Sequence, residues 1–456
     1  MDVSPFRSAP YTRRRVLSLA ASATALAAAA PARRVAARQT SEATPAAATP
    51  AAASQAAANA AIDERAIPIS GEPVPELAGL DRTMTELMAR WELPGGQLAV
   101  AKDGRLVFNR GYGLADVEAD EPVQPDALFR IASVSKAITA VAILELVDDG
   151  LLALDDKAFP LLALEPTANA PVDPRLADIT IEHLLVHAGG WDSGASFEAQ
   201  DPPWSGLAAL VLGDPQPSSA ETIVRFMAGM PLDFDPGSKS VYTNFGFNVL
   251  GRVIEQVSGQ SYEDFTQSRV LAPAGVESMR LARTRREDRA PGEVRYYGPA
   301  GQSPLPSVFP GEGFAPVAYG AYSLEAFDAH GGWIASAADL ARFATAVDGQ
   351  RGTPLLAPAT VEAMLRTPRP SSSDGAKPTF GLGWDTAPGH DGVGWSHAGG
   401  LIGSTASWLE RTADGLTIAF VFNSQPEDAG SFFPDAVTAL RAAAAAVGTW
   451  PAHDLF

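Results

Sequence analysis

Strand patterns at opposite ends of the chain constrain the fold more than anything between them. Gln97-Leu98-Ala99-Val100-Ala101 and Arg105-Leu106-Val107-Phe108 flank Lys102-Asp103-Gly104, a short turn with glycine where the backbone must reverse. Near the other end, residues 392–398, 404–409 and 416–423 read as three strands, the last pair turned by Asp414-Gly415. A hairpin is marginal alone in water, so these distant strands must complete one sheet. The span between them reads as helices and loops. The expectation is an α+β (mixed α/β) fold: one mixed sheet with helices on its faces and an all-helical part inserted.

Leu77, Leu80, Met84, Leu87, Met88 and Trp91 recur at helical spacing until Pro94-Gly95-Gly96 stops them. Further helices are expected over 179–186, 220–230, 245–257, 262–270, 337–347, 358–366 and 433–447, and a loop plus short helix over 151–164. Residues 190–220 and 285–320 are dense in Gly and Pro and read as long loops, the first a rim of the active site.

Inside this frame, Phe129-Arg130-Ile131-Ala132-Ser133-Val134-Ser135-Lys136-Ala137-Ile138-Thr139 reads as a turn feeding a helix, with Ile138, Val141, Ile143, Leu144 and Val147 as its apolar side. On a helix Ser133 and Lys136 leave from one face and meet. A serine hydroxyl is a weak nucleophile until a base takes its proton, and a partly desolvated lysine shares that work. Unpaired N–H groups at a helix start also favour an oxyanion. Of the lysines at 102, 136, 157, 239 and 377, Lys136 alone follows a serine by three positions. Such pairs also occur on solvated helices, so the spacing alone leaves both readings open.

Tyr242-Thr243-Asn244 and His397-Ala398-Gly399 follow downstream. SxxK, YxN and HxG, in that order, resemble the motif set of the penicillin-recognising serine hydrolases. The branch is that of class C β-lactamases, D,D-carboxypeptidases, D-amino-acid peptidases and β-lactamase-like esterases. The resemblance runs from about 77 to 445, with further matches at His183-Leu184-Leu185-Val186-His187, Phe234-Asp235-Pro236-Gly237, the 246–251 and 331–336 stretches, and Asp339-Leu340-Ala341-Arg342-Phe343. It implies the β-lactamase/transpeptidase-like fold, an antiparallel sheet flanked by helices, with the nucleophile at the seam of the two parts.

The same resemblance implies that Ser133 takes the acyl group, that Lys136 supplies charge or shares the proton, and that Tyr242 is the general base. A phenol near pKa 10 becomes a usable base beside a cation. Asn244 would bind the substrate amide or the Lys136 ammonium. The N–H groups of Ser133 and Gly400 would hold the oxyanion, with Gly399 and Gly400 letting the strand approach the substrate. His397 is a departure: class C lactamases carry lysine there, and an imidazole near pKa 6.5 is only partly charged at neutral pH. The implied activity is cleavage of small ester or amide bonds, D-amino-acid peptides among them, through acyl-Ser133 without metal or cofactor. A class C-like β-lactamase and a non-catalytic scaffold or binding protein are the alternatives.

Other motifs point elsewhere less well. His183 and His187 have a metal-binding spacing, but Glu182 precedes them and no third ligand is evident. Gly394-Trp395-Ser396-His397-Ala398 lacks the last glycine of a GxSxG elbow and a following helix. Trp191, Trp204 and Trp333 are candidates to line the cleft or to fill the core.

Composition excludes several classes. The chain has 456 residues and no cysteine, so disulfides, thiol nucleophiles and lipidated cysteines are out. Net charge is −19; residues 1–38 hold seven Arg against one Asp, so the remainder stands near −25, a surface that repels nucleic acid and anionic membranes. Thr12-Arg13-Arg14-Arg15-Val16-Leu17 and the Ala/Leu run behind it read as a twin-arginine-type targeting segment over 1–38, implying export to the periplasm, cell surface or medium. Retention of this segment as a membrane anchor is the alternative to cleavage. Residues 39–66 read as a disordered Ala/Thr/Pro tether and 67–456 as the hydrolase domain.

Overall fold

The computed structural model describes residues 67–162, 164, 172–193, 206–366, 380–386 and 394–456; the expected targeting segment and tether, 1–66, and Trp204 lie outside them. Seven strands form the main sheet: β1 (Ile69–Ser70), β2 (Gly95–Lys102), β3 (Arg105–Asp116), β4 (Glu121–Pro122), β5 (Trp395–Leu401), β6 (Thr405–Arg411) and β7 (Leu416–Phe422). Their order is β1-β3-β2-β7-β6-β5, with β4 beside β3. Every pair is antiparallel, which corrects the mixed sheet read from the residues and agrees with the one implied by resemblance. The two ends of the chain meet where β7 pairs with β2, Phe420 opposite Leu98.

In chain order the helices are α1 (Ala78–Arg90), α2 (Ser135–Asp148), α3 (Ala158–Leu162), α4 (Ile181–Leu185), α5 (Leu207–Leu212), α6 (Ala220–Ala228), α7 (Phe245–Ser258), α8 (Tyr262–Thr266), α9 (Asp328–Gly331), α10 (Ala337–Val347), α11 (Pro358–Leu365) and α12 (Ala429–Ala445). Leu80, Met84 and Leu87 of α1 and Phe432 and Leu440 of α12 pack with Leu98, Val100, Phe108 and Phe420 of the sheet. Leu340, Phe343 and Ala344 of α10 join Ala99, Leu409, Ala419 and Val421, the alternate set of strand positions, in the second core. With helices on both faces, β2 and β7 are buried at nearly every position, so they read as apolar runs rather than alternations.

α2 is the centre of the helical part. Ser135 to Leu144 are all buried, because α7, α8 and α9 pack around it. The apolar side expected here is an apolar circumference. Two other expectations change. The 190–220 stretch contains α5, while its residues 194–205 lie outside the described ones. The 285–320 stretch is built around a small ribbon, Leu305–Pro306 with Phe314–Ala315, and the turn Val317–Tyr319. The helix expected over 262–270 is α8 followed by a π-helical turn, Gln267–Leu271.

Candidate active site

The stretch leading to Ser133 is pinned from both sides. Phe129 and Arg130 pair with Ala335 and Ile334, and the Ile131 N–H donates to the Trp333 carbonyl at 3.0 Å. From β6, Thr405 Oγ1 donates to the Arg130 carbonyl at 2.6 Å and Ser407 Oγ to the Ile131 carbonyl at 2.7 Å. The buried Arg130 guanidinium ties this strand to the 285–320 stretch: it lies 4.2 Å over the Tyr296 ring, 3.7 Å from Glu293 and donates to the Ala318 carbonyl. So held, Ala132 adopts a left-handed φ of 44°, a conformation costing a residue with a Cβ roughly 1–3 kcal/mol. The 3-10 turn Ala132–Val134 then delivers Ser133 just ahead of α2.

Lys136, one turn into the helical run, is fully buried. Its Nζ donates to Ser133 Oγ at 3.0 Å, to Asn244 Oδ1 at 2.8 Å and to the His330 carbonyl at 2.9 Å. Three acceptors suit the three protons of an ammonium. The Tyr242 hydroxyl lies 2.7 Å from Ser133 Oγ, and Lys136 Nζ is 5.0 Å from the Tyr242 ring centroid. Asn244 stands at the N-cap of α7 yet makes no side-chain cap bond. Its carbonyl oxygen goes to Lys136 instead, forgoing the ~1 kcal/mol that a capping asparagine supplies. Four of the residues singled out from sequence thus converge on one hydroxyl and one ammonium.

β5 closes the cluster as an edge strand. A Cβ on Gly399 would lie 2.2 Å from the Ile131 carbonyl oxygen, 2.2 Å from Ser407 Oγ and 3.2 Å from the Ser133 nitrogen. What the glycine admits is therefore the backbone of the Ile131–Ser133 turn, where close approach to substrate was expected. Gly400 is exposed, and a Cβ there would meet only the end of the Gln425 side chain, at 2.8 Å.

His397 does not match the partly charged imidazole expected. It is 5% exposed, and its Nδ1 lies 2.7 Å from the Ala398 carbonyl, which accepts only from a protonated nitrogen. Burial first, and the Lys136 charge second, push its pKa down to about 3. It is a neutral ring at pH 7.

The two helix histidines separate as well. α4 ends at Leu185, so His183 and His187 do not share a helix face; His183 instead completes a capping box with Thr180. Among the described residues no His, Cys, Asp and Glu cluster able to hold a metal ion occurs. Trp191 and Trp333 are core residues, 1% and 0% exposed. A cavity of about 360 Å³ lined by Asn109, Ser278, Arg342 and Phe456 shares no residue with the Ser133 cluster. Sequence reasoning missed Thr405, Ser407 and the His330 carbonyl. The one available signal was the pair of hydroxyl residues alternating at Thr405 and Ser407, which puts both on one face of the strand.

An antiparallel sheet packed on helices, with serine, lysine and tyrosine meeting at the seam, defines a class of acyl-transferring serine hydrolases. The family model described as Beta-lactamase matches residues 80–443, and the chain belongs to that family. It is 30% identical over 382 residues to esterase EstB of Burkholderia gladioli, covering 77% of this chain and 91% of that one. Among solved structures, the D-amino acid amidase from Ochrobactrum anthropi SV3 superposes with a TM-score of 0.62 at 23% identity, over 82% of this chain and 100% of the amidase. EstCE1, described as a hydrolase with promiscuous acyltransferase activity, gives 0.61 at 22% identity, over 80% and 98%. The last two likenesses concern the fold.

Proposed function

We propose that this serine hydrolase is an exported esterase or amidase that cleaves small ester or amide bonds, D-amino-acid amides and peptides among them, through an acyl-Ser133 intermediate. The observation that carries the reading is the Ser133 hydroxyl placed 2.7 Å from the Tyr242 phenol and 3.0 Å from the Lys136 nitrogen. On this reading Tyr242, ionised beside the Lys136 ammonium, takes the Ser133 proton as Oγ bonds to the substrate carbonyl carbon. The resulting oxyanion meets the N–H groups of Ser133 and Gly400. Tyr242 passes its proton to the departing alkoxide or amine as the old bond breaks. A water, deprotonated by the same phenolate, then releases the acid and restores Ser133.

The neutral, buried His397 favours substrates without a carboxylate at that end of the cleft, since it offers no fixed cation to receive one. Slow, persistent acylation by β-lactams is therefore expected rather than rapid turnover. Intact-mass spectrometry after exposure to a p-nitrophenyl ester, a D-amino-acid amide and a chromogenic cephalosporin tests this, with Ser133→Ala as control. Product from the first or second with an adduct on Ser133 supports the proposal. Cephalosporin turnover faster than either means that a neutral histidine serves where lysine was thought necessary. Absence of both product and adduct from all three would leave only the scaffold reading. Export rests on the 1–38 segment: Arg13→Lys with Arg14→Lys should hold the protein in the cytoplasm, and fractionation reads the outcome.

A further inference from the structure

His187 lies two residues past the end of α4 and is 1% exposed. Three contacts converge from it on the stretch carrying Tyr242. Its carbonyl accepts the Val241 N–H at 2.9 Å, and its Nδ1 accepts the Thr243 N–H at 3.3 Å. Its ring centroid is 4.6 Å from that of Tyr242, with Phe247 and Phe380 on the same imidazole at 5.3 and 4.9 Å. One residue thus grips the backbone on either side of the phenol and packs against the phenol itself. To do so it adopts a left-handed φ of 57°, a strained region for a residue with a Cβ. Strain maintained by surrounding contacts at a buried polar residue is the pattern of a functional constraint.

The ring's chemistry fits the same role. Nδ1 accepts from a backbone N–H, so in the neutral ring the proton sits on Nε2. Nε2 has no hydrogen-bond partner among the described residues, so the bond to Thr243 is the polar contact that orients the imidazole. Burial first, then the Lys136 charge, keep the ring's pKa well below the ordinary imidazole range. Protonation would turn Nδ1 from acceptor to donor and set two donors against each other at Thr243.

We infer that His187 is the positioning residue of the general base, clamping residues 241–243 so that the Tyr242 oxygen stays within proton-transfer reach of Ser133. The inference rests on the reading of Tyr242 as base. His187 touches neither substrate nor Ser133 in this role; it acts through Tyr242.

The experiment compares His187→Asn, His187→Phe and His187→Leu with wild type, with rates normalised to the fraction of Ser133 that a covalent phosphonate labels. Normalisation removes loss of folded protein from the comparison. Asparagine tolerates the left-handed backbone and keeps an acceptor for Thr243, so it should retain most of kcat. Phenylalanine and leucine fill space without the acceptor, and should lower kcat about 10- to 100-fold with KM within about twofold and a displaced limb in the pH profile. Phenylalanine equal to wild type, or asparagine as poor as leucine, would reduce His187 to a packing residue and overturn the inference. A second measurement needs no variant that folds: assigned ¹⁵N spectra of histidine-labelled wild type should show the His187 ring neutral, with the proton on Nε2, persisting at pH 5. A proton on Nδ1 of His187 would sink the clamp. Failure of the phosphonate to label Ser133 in wild type would instead reject the acyl-serine reading, and the inference with it.

Discussion

At the scale of single residues, the site is a charge and two hydroxyls held within hydrogen-bond reach by parts of the chain far apart in sequence. Ser133→Ala should abolish acylation and leave the thermal unfolding midpoint within a degree or two, since the side chain is partly exposed and fills no core. Tyr242→Phe keeps the ring against His187 but removes the base, and should slow turnover by ~10²–10⁴, measured as kcat on a p-nitrophenyl ester. Wild-type rates in either variant contradict the assigned roles. The grouping of Ser133, Lys136, Tyr242 and Asn244 was legible because SxxK, YxN and HxG stand in that order, where the SxxK spacing alone left both readings open. The neutral state of His397 was not, because a side chain's charge depends on burial and on Lys136, neither of which a linear motif encodes.

At the scale of elements, the decisive contact is that of β5 with the turn carrying Ser133. Gly399→Ala would drive a methyl into the Ile131 carbonyl and Ser407 Oγ, so strand and turn must part. A cost of about 1–3 kcal/mol and a large loss of kcat are expected. Gly400→Ala meets only the far end of the Gln425 side chain and should cost under about 1 kcal/mol. Denaturant titration of the pair checks this; equal losses would mean that β5 tolerates displacement from the nucleophile. Elements themselves were largely readable, and α10 matches its expected 337–347 span. The loops were less so. Gly- and Pro-rich composition marks where regular structure is weak, but α5 and the Leu305–Pro306 ribbon form because neighbouring segments pack on them.

At the scale of the whole molecule, the seam is a pocket of uncharged imidazoles around one buried cation. His187, His330 and His397 are 1%, 3% and 5% exposed, and each is held below the ordinary imidazole range, first by burial and then by Lys136. Below about pH 6.5 the unfolded chain takes up protons that the folded one refuses, so stability is full above that pH and falls as it drops towards 3, where His397 protonates. Each such ring contributes a slope of about 1.4 kcal/mol per pH unit. Urea unfolding should therefore give a clearly lower stability at pH 5 than at pH 7. A flat profile would mean that these rings take up protons in the folded protein as readily as in the unfolded chain.

The sequence by itself determined the family, singled out Ser133, Lys136 and Tyr242 as a group that the fold brings together, and placed both chain ends in one sheet. Each depends on residue type at short spacing or on patterns of burial that every segment carries locally. Only the tertiary structure decided that the sheet is wholly antiparallel, that Gly399 makes room for the backbone of the turn carrying Ser133, that His397 is uncharged, and that His187 grips the stretch carrying Tyr242. Those outcomes depend on which groups, remote along the chain, exclude water from one another, and that distance is set by the packing of α2 and β5 rather than by any stretch of residues alone.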